Sequence, residues 1–244
     1  KDSFTQGIDN IPSFILKDCA YVFAKPLHRI FNLILKTSTF PNIWKTACVS
    51  PAFTKGDSNN IENYRPISLL CCFSKVFESI LYKHFYGSAK NLISSSQHGF
   101  MEKKSTVTNL ACFSQFTTEV INNRGQVDVV YTDFQKAFDQ IDHFILLAKL
   151  KRYGFSDALC SLFRSYLVNR NQCVKYKEHL PDIMYQLLGS LKGQIFFLLF
   201  INDITQVIAS NKELFADDLK IYRSITSVRD CIYLQQDLAN IMIW

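Results

Sequence analysis

Apolar residues recur at intervals of three and four across residues 11–36, at Ile15, Leu16, Cys19, Val22, Phe23, Leu27, Ile30, Phe31, Ile34 and Leu35. That spacing predicts helix. Pro26 has no amide hydrogen and is expected to divide the stretch into two helices. Phe40-Pro41 and Trp44 lead into a predicted strand at 47–53, and Lys55-Gly56-Asp57-Ser58-Asn59-Asn60 reads as a turn. Arg65-Pro66-Ile67-Ser68 introduces a predicted helix with Leu69, Leu70, Phe73, Val76, Phe77, Ile80 and Leu81 on one broad face. Residues 94–100 read as a loop, and 105–122 as an amphipathic helix capped by Ser105 or Thr106. After a turn at 122–125, the β-rich run 127–131 delivers Asp133 at its end. Helices are predicted at about 142–153, ending at Gly154, and at 157–168, 195–209 and 226–243. Residues 172–185 are irregular, with room for short strands. Residues 213–216 and 219–222 read as two short strands with Asp217-Asp218 at the turn between them. Strand–helix alternation closed by a hairpin predicts an α+β fold, a sheet with helices on one face.

Two acidic islands interrupt the apolar pattern. The first is Tyr131-Thr132-Asp133-Phe134-Gln135-Lys136-Ala137-Phe138-Asp139; the second, 84 residues on from Asp133 to Asp217, is Phe215-Ala216-Asp217-Asp218. A carboxylate at the end of an apolar strand is costly to leave unpaired. Three that converge repel one another unless cations neutralise them. That is the donor set of two-metal phosphoryl chemistry, in which two divalent ions stabilise the attacking and leaving oxygens.

The bulk composition fits such a site without demanding it. The 244 residues can bury a sizeable core, 48% of them are hydrophobic, and only eight Gly and six Pro are present, so the chain reads as globular. A net charge of +6 suits an anionic partner. The eight cysteines form no Cys-x-x-Cys pair and fit no zinc module, so reduced, mostly buried thiols of an intracellular protein are expected. There is no N-terminal apolar segment of signal-peptide type, and the longest apolar run, 195–201, is too short to span a bilayer. The expectation from these features is an intracellular protein, neither secreted nor membrane-spanning. Because the first residue is Lys1, a fragment of a larger product is expected.

The ordered blocks resemble the reverse transcriptase domain of LINE-like (non-LTR) retrotransposons. Pro41, Trp44-Lys45 and Val49-Ser50-Pro51 resemble its opening segment. Lys55-Gly56-Asp57 with Asn63-Tyr64-Arg65-Pro66-Ile67-Ser68-Leu69-Leu70 resembles its fingers motif, and Gln97-His98-Gly99-Phe100 with Ser105-Thr106 the next block. Asp133-Phe134-x-Lys136-Ala137-Phe138-Asp139-x-x-Asp142-His143 resembles palm motif A, residues 197–204 the stretch after motif B, and Phe215-Ala216-Asp217-Asp218 motif C. The resemblance implies a polymerase palm sheet with a fingers subdomain: residues 1–40 a helical extension, 41–125 fingers, 126–244 an incomplete palm, the thumb absent. It implies that Asp133, Asp217 and the carbonyl of Phe134 hold two Mg²⁺ ions, with Asp218 as an assisting carboxylate. Lys55 and Arg65 would neutralise the triphosphate, Phe138 would sit beneath the sugar and exclude a 2′-hydroxyl, and Gly189 would lie against the template and incoming base. The implied partners are an RNA template, a DNA primer and deoxynucleoside triphosphates, and the implied setting is the nucleus or cytoplasm.

Each residue also has a plainer reading. Asp217-Asp218 suits a hairpin turn, Asp133 a helix cap, Phe138 a core, Lys55 a solvated turn and Arg65 a structural ion pair; His98 and His143 read as structural. The chain departs from the family where motif B should be. Tyr185 stands where a Gly is usual and Leu187-Leu188 where Pro-Gln is usual, while Gly189, Ser190 and Gly193 remain; Met101 and Lys104 stand where Arg is usual. Those changes keep open a second expectation, a non-catalytic remnant that at most binds nucleic acid. A nucleotide cyclase would share the palm but leave the fingers blocks unexplained.

Overall fold

The structure is a computed structural model and describes residues 7–134, 137, 140–174, 184–185 and 194–244. In chain order its regular elements are α1 (Ser13–Asp18), α2 (Ala20–Thr37), β1 (Thr46–Phe53), β2 (Tyr64–Leu69), α3 (Cys72–Ala89), α4 (Thr106–Asn122), β3 (Gln126–Thr132), α5 (His143–Arg152), α6 (Asp157–Leu167), β4 (Asn171–Val174), β5 (Met184–Tyr185), α7 (Gln194–Ile201), α8 (Ile204–Val207), β6 (Asn211–Phe215), β7 (Asp218–Ile225) and α9 (Val228–Ile243). The chain forms two compact units, each built from two segments. Residues 1–84 with 143–193 make the first, and residues 85–142 with 194–244 the second.

The first unit contains a sheet in the order β2-β1-β4-β5. β1 pairs antiparallel with β2 and parallel with β4. The segment Arg65-Pro66-Ile67-Ser68, expected to introduce a helix, is the body of β2, and α3 starts only at Cys72. Two prolines explain how this strand is tolerated. Pro51 and Pro66 face one another across the pair, so neither owes a ladder hydrogen bond there, and β2 is an edge strand. The N-terminal helical stretch is divided at Cys19 and not at Pro26. Pro26 is carried inside α2, which forgoes the hydrogen bond its missing N–H would have made. An aromatic cluster forms the core: Phe40 is fully buried and its ring lies 4.9 Å from that of Tyr166, 5.8 Å from Trp44 and 6.1 Å from Phe77.

The second unit contains the sheet β3-β7-β6, all antiparallel, with β7 central. Its central strand is buried from Leu219 to Tyr222 without alternation. Tyr222 meets the rings of Phe113 and Phe116 on α4, the covering helix that the sequence predicts. The alternate set includes Arg223, whose guanidinium reaches Asp230 at the start of α9, so a second helix closes the other side. α7 is apolar all round and buried from Ile195 to Leu199 and at Ile201, as a central core helix must be. The predicted helix 195–209 is split into α7 and α8 by Asn202, whose side chain leaves the helix pattern to serve the loop at 92–94. It donates to the Leu92 carbonyl at 2.8 Å and accepts from the Ser94 amide at 2.7 Å.

α9 starts on an acid-sensitive cap. Asp230 accepts from the amide and hydroxyl of both Thr226 and Ser227 at 2.9–3.2 Å. These bonds, with Thr226 foremost, and the Arg223 guanidinium hold its carboxyl far below the ordinary carboxylate value. A depressed acid stabilises the fold above its unfolded pKa and loses that contribution as pH falls toward its folded one. Thermal unfolding followed from about pH 5 down to about pH 2 should therefore fall less steeply in Asp230→Asn than in the parent chain.

Candidate metal centre

The three sheet carboxylates are brought together by register. β3 and β7 pair from Gln126↔Ile225 to Thr132↔Leu219, and the Thr132 hydroxyl donates to the Leu219 carbonyl at 3.3 Å. One further step of that register sets Asp133 against Asp218. On the other side of β7, Phe215↔Asp218 is the last pair of the β6–β7 hairpin, so the turn consists of Ala216 and Asp217. The turn thus lies one residue earlier than the sequence predicts, with Asp218 the first residue of β7. Asp133 and Asp218 are exposed and Asp217 is half-buried, so a ligand can reach them from solvent.

Their proximity is visible in the charge balance. The Asp218 carboxyl is raised above its ordinary value, first by burial and then by the neighbouring carboxylates of Asp217 and Asp133. Among the described residues, no lysine or arginine pairs with any of the three. Mutual repulsion with no countercharge, on oxygen donors only, is the donor chemistry that hard divalent cations complement. In donor type the three carboxylates suit Mg²⁺, although among the described residues they do not form a group whose ligand oxygens all lie within 4.8 Å of one another. The fourth proposed donor, the Phe134 carbonyl, accepts the Ala137 amide at 3.2 Å and retains a second lone pair. The half-buried ring of Phe134 packs edge-on against Trp244 at 6.4 Å, and the Trp244 indole donates to Asp203 at 2.9 Å.

Lys55 and Arg65 belong to the first unit and the three carboxylates to the second. Both are exposed at the loop end of the β1–β2 hairpin, where Arg65 pairs with Ala52 and the Thr54 amide closes the loop on the Asn63 carbonyl at 2.9 Å. Phe138 and Gly189 lie outside the described residues, as do Leu187, Leu188, Ser190 and Gly193.

A buried polar network backs the carboxylates, and only part of it was legible in the sequence. Lys220 is buried between strand and helix, its ammonium 4.4 Å from the Phe113 ring centre and 3.3 Å from the Asn109 side-chain oxygen. Burial lowers its pKa, and Glu213 opposes the shift. His98 is buried between the Thr108 hydroxyl, 2.8 Å from Nδ1, and Glu213, 3.0 Å from Nε2, in keeping with a structural histidine. Burial, then Lys104 and Lys220, lower the His98 pKa. Burial raises that of Glu213. His98, Cys112 and Glu213 each offer a donor atom, all within 4.8 Å of one another. The two ammonium groups already face that trio and oppose a dication there. Glu213, Lys220 and Asn109 also line a cavity of about 380 Å³ that reaches Asp133 and Asp218.

Residues 53–243 match the reverse transcriptase (RNA-dependent DNA polymerase) family. The chain is 28% identical over 205 residues to the probable RNA-directed DNA polymerase from transposon BS of Drosophila melanogaster, covering 81% of this chain and 22% of that protein. It is 29% identical over 204 residues to the RNA-directed DNA polymerase from mobile element jockey of the same organism, with the same coverage. The chain thus spans little more than a fifth of the length of these relatives. In fold it is similar to apo telomerase from Candida tropicalis truncated from its C-terminal domain, with a TM-score of 0.61 at 12% identity over 85% of this chain and 50% of that one. The chain belongs to the reverse transcriptase (RNA-dependent DNA polymerase) family, and its relatives are non-LTR retrotransposon polymerases.

Proposed function

We propose that the chain carries the nucleotidyl-transfer centre of an RNA-directed DNA polymerase, part of a retrotransposon polyprotein. The observation that carries this reading is the meeting of Asp133, Asp217 and Asp218 at one end of a three-stranded sheet. Asp133 and Asp217, with the Phe134 carbonyl, would hold two Mg²⁺ ions, and Asp218 would add charge beside them. When bound, such a pair lowers the pKa of a primer 3′-hydroxyl and neutralises the leaving pyrophosphate. In the transfer, the primer 3′-oxygen bonds to the α-phosphorus of a deoxynucleoside triphosphate, the hydroxyl proton leaves, and the bond to pyrophosphate breaks.

The remaining roles are positional. Lys55 and Arg65 would neutralise the triphosphate, for which a planar guanidinium is well suited. Phe138 would bar a 2′-hydroxyl, and Gly189 would admit the template and incoming base. By role, residues 41–125 would act as fingers and 126–244 as palm, with 1–40 a helical extension; by packing, 143–193 group with the N-terminal half. An RNA template and a DNA primer are the partners, and the nucleus or cytoplasm the setting.

Primer extension on an RNA template with Mg²⁺, comparing the parent chain with Asp217→Ala, tests the reading; incorporation that survives the substitution rejects it. Tyr185 and Leu187-Leu188 favour the second reading, a chain that binds nucleic acid without copying it. If motif B is the defect, the double variant Leu187→Pro with Leu188→Gln raises incorporation above the parent level. An unchanged rate locates the defect elsewhere.

A further inference from the structure

The turn that carries Asp217 is held from outside the hairpin. Ala216 has φ of 58°, a left-handed conformation that a residue with a Cβ adopts only when its surroundings impose it. The two-residue hairpin calls for a positive φ at its first turn position, and one side chain from outside braces it there. Gln97 is 2% exposed. Its Oε1 accepts from the Ala216 amide at 2.9 Å and from the Gly99 amide at 2.8 Å, and its Nε2 donates to the Ala216 carbonyl at 3.3 Å. A single amide thus satisfies both backbone groups of the first turn residue, as a neighbouring strand would.

The segment bearing Gln97 is itself fixed along β6. The His98 amide donates to the Leu214 carbonyl at 2.8 Å, the Leu214 amide donates to the Ser96 carbonyl at 2.9 Å, and Lys104 donates to the Gln97 carbonyl at 2.9 Å. Gly99 completes the grip. A Cβ there would stand 2.2 Å from the Ala216 nitrogen and 2.9 Å from the Phe215 carbonyl carbon, so only a hydrogen fits.

We propose that Gln97 is a positioning residue for the metal centre: its amide clamps Ala216 and thereby sets the backbone from which the Asp217 carboxylate projects. The inference rests on the reading that Asp133, Asp217 and Asp218 hold the divalent ions. Outer residues that orient ligands are worth about ten- to hundred-fold in metal affinity when removed.

The test measures Mn²⁺ binding to the chain by electron paramagnetic resonance of the free ion, with circular dichroism as the check on folding. The variants are Gln97→Leu, Gln97→Glu, Gly99→Ala and Asp217→Ala. Gln97→Glu keeps the size and the acceptor but loses the donor to the Ala216 carbonyl. The expected result is a ten- to hundred-fold weaker Mn²⁺ affinity in folded Gln97→Leu and Gly99→Ala, a smaller loss in Gln97→Glu, and no measurable site in Asp217→Ala. In primer extension, the apparent Mg²⁺ constant of Gln97→Leu rises by the same factor while the rate at saturating Mg²⁺ stays near that of the parent chain. Parent-like Mn²⁺ affinity in Gln97→Leu, with the site lost in Asp217→Ala, overturns the clamp and leaves the centre standing. Parent-like affinity in Asp217→Ala overturns the centre itself. Unfolding of both Gln97 variants assigns the residue to the fold alone and overturns the proposal.

Discussion

Asp217→Ala is expected to lower primer extension by roughly 10³-fold or more, because removing one carboxylate from a divalent-ion site forfeits several kcal/mol of transition-state charge stabilisation. Asp133→Ala should match it, since the two residues are assigned the same role from opposite sides of β7. Asp218→Asn should cost less, about 10- to 100-fold, because it leaves those two carboxylates in place. Stability should move the other way. The Asp218 carboxyl is raised by burial and then by Asp217 and Asp133, so its charge is held against theirs. Deleting any one relieves that repulsion, and the thermal midpoint should stay level or rise, the usual exchange between a strained site and a stable fold. Activity within about tenfold of the parent in Asp217→Ala would sink the assignment. A large fall in its thermal midpoint would mark the residue as part of the hairpin's architecture.

Phe40→Ala should be the most damaging substitution for the first unit. Its ring has no access to solvent and meets Tyr166, Trp44 and Phe77 edge-on or tilted, while its amide is tied to the Ser165 hydroxyl at 2.9 Å. Truncating a buried phenylalanine costs about 3–5 kcal/mol, since the cavity left behind collapses only in part. Domains are stable by about 5–15 kcal/mol, so the variant should consume a large share of that margin. Urea denaturation followed by tryptophan fluorescence reads the change directly through Trp44, one of the residues that lose contact. A shift below about 1 kcal/mol would mean that the aromatic cluster repacks freely.

Local signals in the sequence were enough wherever the determinants are themselves local. Ser105 caps α4 by accepting from the Thr108 amide, with Thr108 returning the bond to the Ser105 amide, so both ends of that device lie within four residues. The run of β-formers before Asp133 is β3, and Gly154 ends α5 in the left-handed conformation only glycine takes freely. The structure departs from local expectation where a distant partner decides. The prolines of β1 and β2 are tolerated because they face each other, which no window around either one reveals. The turn is Ala216-Asp217, one residue before the acidic pair expected to mark it, because the last strand pair is Phe215↔Asp218; Gln97, 119 positions earlier, grips its first residue. The carboxylates were legible as a resemblance; their convergence is a matter of register between strands far apart in the chain. Lys220, by contrast, carries no sequence signal beyond a charge in an apolar strand, and its aromatic and amide partners come from other elements.

The interleaving of the two units constrains how the molecule is born. Thr132 waits for Leu219, 87 positions later, and Ala47 for Cys173, 126 positions later, before either sheet can close. Emerging from a ribosome at about 5–20 residues per second, β3 would spend several seconds as an unpaired edge before its neighbour appears. Such long-range pairings slow folding and lengthen exposure to aggregation. This chain should therefore gain more soluble yield from slower translation or from chaperone supply than a protein whose neighbouring strands follow one another.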